Sequence, residues 1–119
     1  MSTAHVGGLS HLVKVARSPT STTSGWPATK PSDVSPVSVA AAVHLGTAIP
    51  NFGIQEHVAY PGQVAEVFRH SYQFSDGWLT VGDEPGLGVD INEEAAARYP
   101  YERAYLPVNR NTGGSVFDW

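Results

Sequence analysis

The sequence predicts an α/β chain, rich in loops and carrying one antiparallel element, on three observations. An apolar helical stretch, Val37–Leu45, is followed closely by a short apolar strand, Ile49–Ile54, which is the repeating half of a parallel sheet or barrel. Two alternating segments, Val67–Phe74 and Trp78–Val81, flank Ser75-Asp76-Gly77, a hairpin signal in which Asp-Gly supplies the left-handed turn residues. Twelve Gly and nine Pro in 119 residues call for many turns and argue against a helical bundle.

In chain order, Ala4–Ala16 reads as the end of a strand, the glycine turn Gly7-Gly8, and a helix. Ser10 is positioned to cap that helix, and Leu12, Val13 and Val15 form its buried side. Residues 18–30 are a polar tract without periodicity and read as a flexible linker or loop. Ser35-Pro36 then sets a capping side chain before a proline suited to a first helical turn. The following Ala/Val helix is apolar nearly all round, and Gly46 is placed to end it. A buried strand within Thr47–Glu56 comes next, its last residues Gln55 and Glu56 being polar. Beyond the hairpin, Gly82–Gly88 is a rigidified loop. Asn92–Arg98 is a short helix with its cap, early acids and late base in dipole-favoured places. Tyr99-Pro100-Tyr101 ends that helix, and the remainder to Trp119 is extended and irregular.

Composition excludes several classes of function. A charged fraction of 15% is too low for a disordered polyelectrolyte. With a formal charge of −4 and seven scattered Lys and Arg there is no basic patch for nucleic acid. The absence of cysteine rules out disulfide scaffolds, thiolate metal sites and cysteine nucleophiles. No apolar run approaches the roughly 18 residues of a membrane span. Met1-Ser2-Thr3-Ala4-His5 lacks the cationic start and apolar stretch of a secretion signal, so the expected location is the cytoplasm.

Local chemistry narrows to two acids. Glu56 directly follows the apolar strand, where α/β folds place functional groups, yet position alone reads equally as a solvated acid at a strand end. Asp33 precedes the helix at Ser35 in a similar loop; spacing by itself favours a turn residue that satisfies backbone amides. The five histidines show no His-x-x-x-His pair, and His5, at a strand end before Gly7-Gly8, is the best placed of them. Gly7-Gly8 lacks the remainder of a phosphate loop, and neither Asp83-Glu84 nor Glu93-Glu94 forms a carboxylate trio for a divalent metal.

Four stretches carry more than composition: Pro31-Ser32-Asp33-Val34-Ser35-Pro36-Val37, Pro50-Asn51-Phe52-Gly53-Ile54-Gln55-Glu56, Asp83-Glu84-Pro85-Gly86-Leu87-Gly88-Val89-Asp90 and Tyr105-Leu106-Pro107-Val108-Asn109-Arg110. In this order, over Thr3 to Trp119, the chain resembles the C-terminal third of the mannonate dehydratase family of the enolase superfamily, which includes D-galactonate dehydratase family members and starvation-sensing proteins. The resemblance implies the last strands and helices of an enolase-type β/α barrel in residues 1–60, and a barrel-covering, partly antiparallel capping segment in residues 61–119. It places strand six and its helix at Ala4–Ala16, strand seven and its loop around Ser24–Asp33, and strand eight at Ile49–Glu56. The family ends on an aromatic, as here at Trp119, which implies an intact C-terminus.

The implied activity is loss of water from a sugar acid, mannonate or gluconate, after abstraction of the proton beside the carboxylate, with Mg²⁺ stabilising the enediolate. Asp33 and Glu56 match substrate-binding positions. The Mg²⁺ ligands, the Tyr and His that act as acid and base, and a substrate-binding Arg are implied upstream of Met1, so this chain is expected to lack metal and base. A family histidine aligns with Thr29, which has no titrating imidazole. Compensating frame shifts across residues 18–30 would account for the aberrant tract, since a shifted frame can encode a strand followed by a family-like histidine. The expected molecule is an incomplete barrel, inactive and poorly soluble alone, with a family-type homo-oligomer open only to a full-length chain. The alternative is a non-catalytic remnant or an assembly partner of an enolase-superfamily protein.

Overall fold

The computed structural model describes residues 6–18, the backbone of 26–28, and residues 35–103 and 110–115. Helix α1, Leu9–Ala16, begins on Gly8, whose φ of 88° lets the chain turn sharply into the helix. Leu12 and Ala16 are buried, with Val13 and Val15 half-buried beside them. Ser10 is not the cap: it lies inside the first turn, and Gly8, with no side chain, holds the capping position.

Strand β1, Trp26–Ala28, runs parallel to strand β2, Phe52–Gln55, and helix α2, Pro36–Ala48, crosses between them. β1 falls where the family resemblance sets strand seven, inside the tract whose local pattern reads as a linker, because the strand is too short, and too broken by Pro27, to show a period of two. The ladder slips between Trp26 and Pro27, where the proline offers no N–H.

Ser35 occupies the N-cap of α2 with Pro36 at the first turn, and its carbonyl accepts from Ser38 N at 2.9 Å, while its side chain makes no capping bond. Pro36, Val39–Val43 and Leu45 are buried, so α2 lacks a solvent stripe, as its composition predicts. Gly46 does not end it. The helix continues to Ala48, with Thr47 Oγ1 donating to the His44 carbonyl at 2.8 Å. Asn51 Nδ2 donates to Ala16 O at 3.2 Å and ties the entry of β2 to the end of α1.

β2 is shorter and more open than expected. Phe52 is 39% exposed although its ring lies against Gly46 of α2, and Ile54 is 68% exposed.

Helix α3, Gly62–Val67, leads into β3, Phe68–His70, which pairs antiparallel with β6, Val89–Ile91, setting Arg69 opposite Asp90. Helix α4, Glu93–Ala96, follows β6. Asn92 Oδ1 accepts from Ala95 N at 3.1 Å, the predicted cap. The predicted hairpin is β4, Gln73–Ser75, against β5, Trp78–Thr80, turning on Asp76 (φ 50°) and Gly77 (φ 82°). The alternating stretch 67–74 is therefore divided: its first half pairs with β6 and its second with β5. The core gathers Val39, Ala40 and Val43 of α2 with Tyr72, flanked by Tyr60, Leu79, Leu87 and Val89. Among the described residues no helix is long and apolar enough to cross a membrane.

Candidate functional site

In a parallel pair both strands deliver their following loops at the same end, and that shared end is where α/β folds assemble their sites. Ala28 pairs with Gln55, so β1 and β2 finish side by side. Glu56 stands at this end as the first residue beyond β2, exposed to solvent. Asp33, which follows β1 in sequence, lies outside the described residues, as do His5 and Thr29. Of the two acids singled out from the sequence, Glu56 alone can be located.

Both sequence neighbours of Glu56 make contacts. Gln55 Nε2 donates to the Glu56 carbonyl at 2.8 Å. The half-buried His57 ring lies 4.6 Å from that of Phe74, at an interplanar angle of 33°. Phe74 belongs to β4, so the β4–β5 hairpin braces the segment that carries Glu56.

An open cavity of about 410 Å³ lies between the hairpin, β2 and the last turns of α2, walled by Val43, Phe52, Ile54, Phe74, Trp78 and Leu79. Sequence reading found the hairpin but not this contact. Its one signal was the pair of large aromatics, Phe74 and Trp78, flanking a turn where polar residues would be expected. A second cavity of about 380 Å³, lined by Arg69, His70, Ser71, Glu84 and Asp90, sits between β3 and the loop before β6. On the far side, Glu66 of α3 accepts from Arg98 and from Tyr99 Oη, the latter at 2.7 Å. The Tyr99 hydrogen bond, more than the Arg98 charge, holds the Glu66 carboxyl below its ordinary value, and Tyr99 is raised in return.

A divalent cation in such a fold needs several oxygen ligands, largely carboxylates, converging on one point. Among the described residues no three of His, Cys, Asp or Glu gather closely enough to hold one, and the strand-end position offers Glu56 only. The described residues therefore do not fit a Mg²⁺ site.

A family model described as "Enolase C-terminal domain-like" matches residues 1–95. A D-galactonate dehydratase family member of Streptomyces bingchenggensis is 50% identical over 119 residues, covering 97% of this chain and 28% of that protein. A D-mannonate dehydratase of Caulobacter vibrioides is 47% identical over 115 residues, again covering 97% and 28%. The crystal structure of an enolase from Pantoea ananatis with bound D-gluconate and Mg superposes with a TM-score of 0.76 at 37% identity, covering 83% of this chain and 24% of that one. This chain thus spans little more than a quarter of the length of the relatives it matches. With a βαβ unit that ends on an acid, antiparallel strands packed behind it and a family match over its first 95 residues, the chain belongs to the enolase C-terminal domain-like family.

Proposed function

We propose that the chain is part of a Mg²⁺-dependent sugar-acid dehydratase, and that by itself it supplies substrate contacts but no catalysis. The observation that carries this reading is identity of 50% and 47%, over 97% of the chain, to proteins named as a D-galactonate dehydratase family member and a D-mannonate dehydratase. The D-gluconate bound to the Pantoea ananatis enolase supports a six-carbon sugar acid as substrate.

In this reading residues 1–60 carry the last part of the barrel and residues 61–119 its covering segment. Glu56 and Asp33 are the substrate-binding acids: ionised carboxylates accept hydrogen bonds from sugar hydroxyls and orient the leaving group. The cation and the proton-transferring groups belong to the part of the relatives' fold that this chain does not span, and the reaction is completed where both parts meet. A cytoplasmic setting and a homo-oligomer of the complete enzyme accompany the reading. The alternative, a non-catalytic remnant or assembly partner, draws on the lack of a metal-ligand cluster among the described residues.

The test is formation of 2-keto-3-deoxy acids from mannonate, gluconate and related acids with Mg²⁺, by the chain as it stands and by a form extended upstream from the genome. Product from the extended form alone supports the reading. Product from the short chain, or from neither form, overturns it. In an active extended form, Glu56→Gln should lower kcat/KM by roughly 10–100-fold, the worth of a hydrogen bond to a charged group.

A further inference from the structure

One residue beyond the end of a strand, ladder hydrogen bonds no longer fix the chain, and a side chain there keeps its aim only where other contacts supply it. At Glu56 such contacts run through its neighbours to a hairpin 17 residues beyond His57. The His57 and Phe74 ring centroids are 4.6 Å apart, within the range of a favourable aromatic pair. Phe74 is anchored in turn. Its cross-strand partner in β5 is Leu79, which packs against the buried cluster of Val39, Ala40, Val43 and Tyr72. The first three of these belong to α2, the helix that runs into β2. The turn between β4 and β5 is set by Asp76 and Gly77, both at positive φ, and Ser75 Oγ donates to Asp76 Oδ2 at 3.1 Å. The contacts therefore close a ring, from α2 along β2 to Glu56 and His57, across to Phe74, and through Leu79 back to α2.

We propose that Phe74, acting through His57, is a positioning residue for the Glu56 carboxylate, and that the β4–β5 hairpin thereby sets how tightly this strand end grips a polyhydroxylated acid. The proposal rests on the reading of Glu56 as a substrate-binding acid, and adds to it a residue that touches no substrate. Residues 56 and 57 share one planar peptide, so fixing His57 against the hairpin leaves the Glu56 side chain few directions. An acid already fixed in direction gives up less freedom on meeting hydroxyls than one that the ligand must order. Loss of the ring contact weakens the grip while the carboxylate itself remains.

The experiment is a double-mutant cycle in the form extended upstream from the genome, with Phe74→Leu and Glu56→Gln made singly and together. Phe74 is 55% exposed, so leucine there should leave the fold standing, as circular dichroism would establish. Phe74→Leu should lower kcat/KM by about 3–10-fold for the acid that the parent turns over fastest, the worth of one aromatic pair. In the Glu56→Gln background the same change should alter kcat/KM by less than about twofold, because the group it positions is already gone. Phe74→Tyr keeps the ring and should stay near the parent. Amide hydrogen exchange at residues 56–58 should quicken by about 3–10-fold in Phe74→Leu while that of α2 is unchanged. An equal loss of kcat/KM in both backgrounds makes Phe74 a general support of the fold and overturns the proposal, as does unchanged exchange at 56–58. If the extended parent turns over no acid, the dehydratase reading falls and exchange decides alone: quickening keeps the hairpin as the brace of Glu56, and no change removes it.

Discussion

The Phe52 ring fills the place of a side chain that Gly46 lacks: a Cβ there would lie 2.9 Å from Phe52 Cε2 and 3.0 Å from Cδ2. A glycine inside a helix is ordinarily unfavourable by about 1 kcal/mol relative to alanine. Here it lets β2 pack against α2. Gly46→Val should therefore lower stability by about 1–3 kcal/mol in chemical denaturation, the usual effect of overpacking. Phe52→Ala in the same background should recover part of the loss. An unchanged midpoint for Gly46→Val would mean that the ring moves aside freely.

The Tyr72 side chain is buried, and its hydroxyl has no hydrogen-bond partner among the described residues. Tyr72→Phe removes a polar group left without compensation and should be neutral or stabilising by up to about 1–3 kcal/mol. Burial pushes both Tyr72 and Tyr60 from 10.0 up to about 12. Raised values mean that the folded chain keeps protons the unfolded chain has released. Stability is therefore fully present below pH 10 and declines toward pH 12. The alkaline decline should be shallower in Tyr72→Phe, measured as denaturation midpoint against pH.

Glu66 joins α3 to the residues that follow α4 through Arg98 and Tyr99. Its depressed carboxyl contributes stability that is present above the ordinary value of 4.5 and is lost as pH falls through the lower folded value. Since the Tyr99 hydrogen bond is the largest single cause and Arg98 adds charge and a hydrogen bond, Tyr99→Phe and Arg98→Gln should each raise the Glu66 midpoint. Carboxyl carbon shifts followed by NMR titration read both. An unchanged midpoint in Tyr99→Phe would take the hydrogen bond out of the account.

Asn92 closes the first turn of α4 through its bond to Ala95 N. Asn92→Ala should cost about 1 kcal/mol, and Asn92→Asp should keep most of the cap beside the helix dipole. A thermal shift series on the three proteins separates the outcomes.

What was legible in the sequence divides along physical lines. The turn at Asp76-Gly77, the cap at Asn92 and the all-round apolar α2 depend on neighbours within a few residues, and each was readable as such. β1 was not legible in local pattern, since three residues including a proline inside a polar tract show no periodicity and its partner β2 lies 26 residues on; the family resemblance alone set a strand around Ser24–Asp33. Gly46 was misread as a stop because its purpose is a contact with a ring six residues away that local patterns cannot anticipate. The apolar composition of β2 marked a strand meant for burial but could not say what would bury it, so Ile54 stands exposed. At the site, the position of Glu56 followed from strand order alone. The bracing of its loop by His57 and Phe74 arises across 17 residues with no sequence pattern to announce it.

The core around α2 draws on both sides of residue 60: Val39, Ala40 and Val43 come from one half, and Tyr72, Leu79, Leu87 and Val89 from the other. Cleavage in the exposed Val58-Ala59 stretch would sever the chain without parting these side chains. A nicked molecule should then travel as one species on a native gel and separate into two only in denaturant. The two pieces would behave as a pair of split halves able to find each other again, rather than as two modules on a tether.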